Sequence, residues 1–198
     1  MIVSFATPNR YVMMVFLCCQ SNEKEYRKEA SEKNQKVTRL DFKYKFSVPQ
    51  PAGEVFDKIC LISEWWTMDT EGAIKNLHDE FTVHFGDSFV KMQMTQMVPG
   101  KEMTWLVRNC LWSFLENKRE WNGTRIVWNI TTKENSTQLS MTHVGLVPGI
   151  ESFDICKEGW GLYVGNSLFR LITEGSGIPF EPTGNKNGKT CEEQNLKR

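Results

Sequence analysis

From Arg39 to Val48 the chain alternates. Leu40, Phe42, Tyr44, Phe46 and Val48 point one way, and Asp41, Lys43, Lys45 and Ser47 the other. Period two predicts a strand with one wet face, which Pro49 and Pro51 end. The period then changes. Val55, Ile59 and Ile62 fall at helical spacing with Phe56 and Cys60 beside them, and Pro51 suits a first helical turn. Ser63 is placed to cap a second short turn that carries Trp65 and Trp66.

A run of strands follows. Phe81, Val83 and Phe85 alternate with Thr82 and His84; Val90, Met92 and Met94 with Lys91, Gln93 and Thr95; Met103, Trp105 and Val107 with Thr104, Leu106 and Arg108. Further on, Ile126, Trp128 and Ile130 alternate with Arg125, Val127 and Asn129, and Leu139, Met141 and His143 with Ser140, Thr142 and Val144. Gly86-Asp87, Pro99-Gly100 and Glu134-Asn135-Ser136 are turn signals, and Asn117–Asn122 reads as a polar connection. Short links between successive strands predict an antiparallel meander.

The last element is helical. Phe153, Cys156, Trp160, Val164, Ser167, Leu168 and Leu171 keep i, i+3, i+4 spacing, and Gly175 is a plausible cap at its end. Gly159, Gly161 and Gly165 lie inside it. Each costs roughly 0.8–1.0 kcal/mol against Ala. Close packing on the sheet is the simpler explanation, and room for a ligand the other. A helix of this pattern buries its apolar stripe by crossing the concave side of a curved sheet. The prediction is an α+β domain over residues 39–180, its curved antiparallel sheet wrapped around the C-terminal helix with an apolar pocket between them.

Composition narrows the function classes. A chain of 198 residues suits one domain with tails. Formal net charge is zero and no basic cluster is interleaved with aromatics, which sets nucleic acid aside. Seven Trp and nine Met suit either a core or the wall of an adaptable apolar cavity. Cys18, Cys19, Cys60, Cys110, Cys156 and Cys191 form no CxxC pair and no zinc-ligand spacing, and read as reduced thiols. The glycosylation sequons at Asn122, Asn129 and Asn135 are treated as chance matches, Asn129 lying within a strand pattern.

Two tails flank the domain. In residues 1–38, Arg10 precedes an apolar run from Tyr11 to Leu17, then Cys18 and Cys19, then a polar stretch from Gln20 to Lys36. The run is too short to span a bilayer. Its layout fits a bacterial lipoprotein signal with a tether, although Leu17 stands where a small residue is favoured; an upstream extension without structural meaning is the other reading. Membrane association is expected only if Cys18 or Cys19 is acylated. Residues 181–198, rich in Asn, Lys, Glu and Gly, read as a disordered tail.

Certain local residues carry a family likeness. They are the segment Ser47-Val48-Pro49-Gln50-Pro51-Ala52-Gly53-Glu54-Val55-Phe56, the pair Trp65-Trp66, the stretch Thr142-His143-Val144-Gly145-Leu146, and Gly159-Trp160 with Asn166-Ser167-Leu168. In this order they resemble the START-like SRPBCC superfamily, the helix-grip fold, and within it homologues of the heat-shock-protein ATPase activator. The resemblance covers most of Phe42 to Pro179 and leaves the N-terminal extension out. It implies a pocket between sheet and long helix that binds lipids, sterols, polyketides or other apolar ligands. It also implies a cytoplasmic location and, through the family's name, a chaperone partner.

Strand and helix parity name a candidate lining: Trp65, Trp66, Met92, Met94, Trp105, Trp128, Met141, His143, Trp160 and Val164. An inward imidazole at His143 needs a hydrogen-bond partner. It can orient a ligand head or transfer a proton, but a structural bond near the helix is the favoured reading. His78, Asp79, Glu80 and His84 read as a solvated loop rather than a metal site. A Cys156–His143 pair across the helix–sheet interface is a further geometric option. No phosphate-binding glycine loop is present, and no cofactor is expected. The leading expectation is therefore a non-enzymatic binding module for a small apolar or amphipathic ligand. The alternatives are a cyclase- or hydrolase-like enzyme using the same pocket, and a module acting on a chaperone ATPase.

Overall fold

The structure is a computed structural model and describes residues 40–182. The readings made on the N-terminal extension, acylation at Cys18 or Cys19 included, lie outside those residues, as does nearly all of the C-terminal stretch. Strand β1 (Phe42–Val48) leads to helices α1 (Ala52–Cys60) and α2 (Ile62–Trp65). Strands β2 (Thr70–Gly72), β3 (Glu80–Phe85), β4 (Ser88–Val98), β5 (Glu102–Leu111), β6 (Arg125–Lys133) and β7 (Ser136–Val144) follow. One continuous helical rod ends the domain: α3 (Phe153–Trp160), a π-helical segment (Gly161–Leu168) and α4 (Phe169–Glu174). Among the described residues no helix is long and apolar enough to cross a membrane.

All strands join one antiparallel sheet in the order β1-β7-β6-β5-β4-β3-β2. The predicted alternation holds along it. Val90, Met92 and Met94 of β4, Met103, Trp105 and Val107 of β5, Ile126, Trp128 and Ile130 of β6, and Leu139, Met141 and His143 of β7 are all buried. Register places Trp105 between Met94 and Ile126, and Trp128 between Met103 and Met141. The large apolar side chains thus meet in the middle of the concave face. Fully burying each such side chain contributes about 1.5–3 kcal/mol.

One irregularity in β5 re-aims the chain. Val107 pairs with Met92 and Asn109 with Lys91, so Arg108 is an extra residue between them. The bulge reverses parity, and Cys110 and then Trp112 turn inward instead of outward.

The helical rod presents Trp160, Val164, Leu168, Leu171 and Ile172 to the core. Its π segment lies against β1 and α2, and α4 against α1 and β1. Gly175 ends it in the left-handed conformation, φ 83°. The expected explanation of the three helix glycines holds for one of them. A Cβ on Gly165 would collide with the Tyr44 hydroxyl of β1, whereas one on Gly159 or Gly161 would meet nothing within 4 Å. Ser63 is likewise not a cap: it lies within α2, whose N-cap is Leu61 with no side-chain bond.

The segment after α2 is tied to the end of the domain. Met68 N–H donates to Phe180 O at 2.9 Å, and Phe180 N–H to Trp66 O at 2.9 Å. This tie holds the Trp65-Trp66 pair under the helical rod.

Candidate functional site

The ten candidate lining residues come together. Trp65 stacks on Trp66 with ring centroids 5.5 Å apart, and Trp66 meets Trp160 at 5.0 Å and Trp105 at 6.3 Å. Trp105 and Trp128 meet edge to face at 5.2 Å. Met92, Met94, Met141, His143 and Val164 complete the surround, and none of the ten is more than 3% exposed. All ten are withdrawn from solvent, so the interior between sheet and rod is closed to it.

Its polar groups fall into two sets. In the first, every group is satisfied. Trp65 Nε1–H donates to Ile59 O at 3.1 Å, and Trp160 Nε1–H to His143 Nδ1 at 3.2 Å. Nδ1 therefore accepts, and the proton sits on Nε2, 3.0 Å from Thr124 Oγ1. The Thr124 hydroxyl in turn donates to Trp121 O at 2.7 Å. Burial pushes the His143 pKa down from 6.5 to about 3. His143 is thus a neutral imidazole with both nitrogens engaged, its ring nearly perpendicular to those of Trp121 at 4.4 Å and Trp160 at 5.8 Å.

In the second set the donors have no acceptor. The indole N–H groups of Trp105 and Trp128 are buried and unpartnered among the described residues, and so is that of Trp112. Neighbouring ring faces are weak acceptors at best. An unmet buried donor costs about 1–3 kcal/mol, and such a group calls for a specific explanation.

The proposed Cys156–His143 pair does not form. The Cys156 thiol interacts with Ser152 and Trp121, and burial pushes its pKa up to about 12. A thiol so held is protonated at neutral pH and a poor nucleophile. Burial raises Cys60 to about 11 and Cys110 also upward. The loop histidines and carboxylates are dispersed in separate contacts. Asp79 Oδ2 accepts the N–H groups of Lys75 and Asn76, Glu80 pairs with Lys91 at 2.7 Å, and His84 Nε2 lies 3.5 Å from Glu71 Oε1.

Two residues of the site were outside the predicted lining. Trp112 and Trp121 sit in the connection between β5 and β6, with rings 4.8 Å apart. Trp121 stacks on Trp160 at 6.0 Å and donates to Ser152 Oγ at 3.3 Å. Two indoles, with Phe114 and Leu115 beside the first, in a connection otherwise polar were the available signal. On the opposite flank a surface groove of about 270 Å³ runs between the α1–α2 junction and β2, past Cys60, Ser63, Glu71 and Phe81.

No protein-family model and no curated protein matches this chain. Solved structures do. The Aha1 dimer from Colwellia psychrerythraea superposes with a TM-score of 0.57 at 20% identity, over 70% of this chain and 99% of that one. DynU16, a protein of the dynemicin biosynthetic locus, gives 0.55 at 19% identity, over 70% of this chain and 49% of that one. BH1534 of Bacillus halodurans gives 0.51 at 18%, over 69% and 99%. The chain has the helix-grip fold. At these identities the likeness is one of architecture, and function rests on the site itself.

Proposed function

We propose that the domain is a non-catalytic binding module. It takes a small, flat, apolar or amphipathic ligand that carries a hydrogen-bond acceptor into the interior beneath the helical rod. The observation that supports this reading is the pair of unmet indole N–H groups on Trp105 and Trp128, at the centre of the concave face. A ligand acceptor placed between them recovers the penalty that the empty domain carries. Met92, Met94 and Met141 are unbranched and repack around a guest at low cost. Because the interior is closed without ligand, affinity is reduced by the fraction of molecules that open.

Native mass spectrometry of the full chain, incubated with cell extract, tests the reading. The expected result is a discrete added mass that is lost on denaturation. Trp105→Phe and Trp128→Phe keep an aromatic ring and delete the donor. Each is expected to weaken the recovered ligand about tenfold, the equivalent of one hydrogen bond of about 1.4 kcal/mol. Absence of any added mass, or full affinity in both variants, refutes the reading.

A further inference from the structure

β1 is an edge strand. Its one neighbour in the sheet is β7, paired from Phe42 and His143 to Val48 and Thr137. Phe42 N–H donates to Leu146 O, just past the end of β7, at 2.8 Å. Strand alternation therefore turns the N–H and C=O groups of Lys43, Lys45 and Ser47 to the free side. Among the described residues no backbone meets that side. The opposite edge, β2, has three residues, whereas β1 offers seven.

The two faces of this edge differ in chemistry. On the convex face Lys43 and Lys45 are exposed. Beside them stand Thr142 and Ser140 of β7, and beyond those Val127 and Asn129 of β6. Strands β1, β6 and β7 carry Lys43, Lys45, Arg125 and Lys133 and no carboxylate. The ion pairs among the described residues leave both edge lysines out. On the concave face Phe42, Tyr44 and Phe46 are only partly buried, with Phe169 of α4 against Phe46 at 5.4 Å.

We propose that β1 is a docking edge for an extended segment of a partner protein in which acidic and apolar residues alternate. The segment adds an antiparallel strand, its backbone pairing with Lys43, Lys45 and Ser47. Two carboxylates, two residues and thus roughly 7 Å apart, stand opposite Lys43 and Lys45. The apolar residues between and beside them extend the row of Phe42, Tyr44 and Phe46. A second copy of this chain fits less well, since antiparallel pairing over the whole of β1 sets Lys45 against Lys45, a destabilising like-charge pair. Edge lysines commonly keep stray strands off; here the same charges select an acidic one. The site lies at the edge of the sheet and is independent of the ligand-binding reading.

The probe is a capped synthetic peptide, Thr-Val-Glu-Val-Glu-Val-Thr, titrated against the full chain at low salt. Saturable binding is expected, with slowed amide exchange at Lys43, Lys45 and Ser47. Lys43→Glu/Lys45→Glu, with circular dichroism confirming the fold, is expected to bind this peptide about tenfold more weakly or worse. The same variant is expected to take up the counterpart peptide with Lys for Glu. N-methylation of both Glu residues removes the donors that meet the edge, and binding is expected to be lost. Undiminished binding of the N-methylated peptide reveals a charged patch without strand pairing and overturns the proposal. So does unchanged affinity in the variant, or no binding of the probe. Slow exchange at Lys43, Lys45 and Ser47 in the chain alone means that the edge is already taken, which also overturns it. The occupant is then a second copy if protection grows with protein concentration, and the chain's own residues if it does not.

Discussion

The neutral state of His143 has a measurable cost at acid pH. Its pKa is 6.5 in the ordinary case and about 3 in the folded domain, the difference arising from burial. Between these values the unfolded chain holds a proton that the folded chain refuses. Stability therefore rises with pH across the window by up to about 1.4 kcal/mol per unit, is fully present above pH 6.5, and is lost as pH falls toward about 3. Integrated from pH 7 to pH 5, the loss from this one residue is about 2 kcal/mol. Glutamine is the natural perturbation. Its carbonyl accepts from Trp160 and its amide donates to Thr124, but it does not titrate. Urea unfolding at pH 7 and pH 5, for wild type and His143→Gln, gives a difference of differences in which every other titrating group cancels. Wild type is expected to lose about 2 kcal/mol more than the variant over that step. Equal losses in the two proteins mean that the folded imidazole accepts its proton freely, and the account of a locked neutral His143 is then wrong.

Further outcomes follow from packing and burial. Gly159→Ala and Gly161→Ala, which meet open space, are expected to raise stability by roughly 0.4–1 kcal/mol through the unfolded state. Gly165→Ala, which meets the Tyr44 ring, is expected to lower it by about 1–3 kcal/mol, so thermal melts of the three should divide in sign. Cys156, held protonated by burial, is expected to resist iodoacetamide at pH 8 in the native domain and to react at once in urea; equal labelling in both conditions would show its surroundings to be open.

Much of this architecture is written in the alternation of the chain. The inward faces of β3 to β7 are the ones that period two predicts, because each strand is wet on one side and packed on the other. The parity of Met92, Trp105, Trp128 and His143 was therefore readable from sequence. Other features break the rule that reveals them. The bulge at Arg108 is one extra residue in the ladder, and it hides the inward turn of Cys110 and Trp112 from any fixed period. The edge strand β2, Thr-Glu-Gly in sequence, has no apolar residue to mark a face. The π-helical turns leave Trp160, Val164 and Leu168 at a spacing that an α-helix also accepts. The connection between β5 and β6 is fixed by tertiary hydrogen bonds between Glu120, Glu151 and distant amides, and no local pattern encodes those.

The pairing of the first strand with the last has a consequence for assembly. Phe42 lies opposite His143, and the register runs on to Val48 opposite Thr137. Nearly the entire domain must therefore be synthesised before β1 has β7, its one neighbour in the sheet. Until then both rows of its backbone donors and acceptors lack a strand partner, and loop closure must precede the contacts that reward it. The tryptophan interior is sealed along this same seam, so its last wall is completed by the first part of the domain to leave the ribosome.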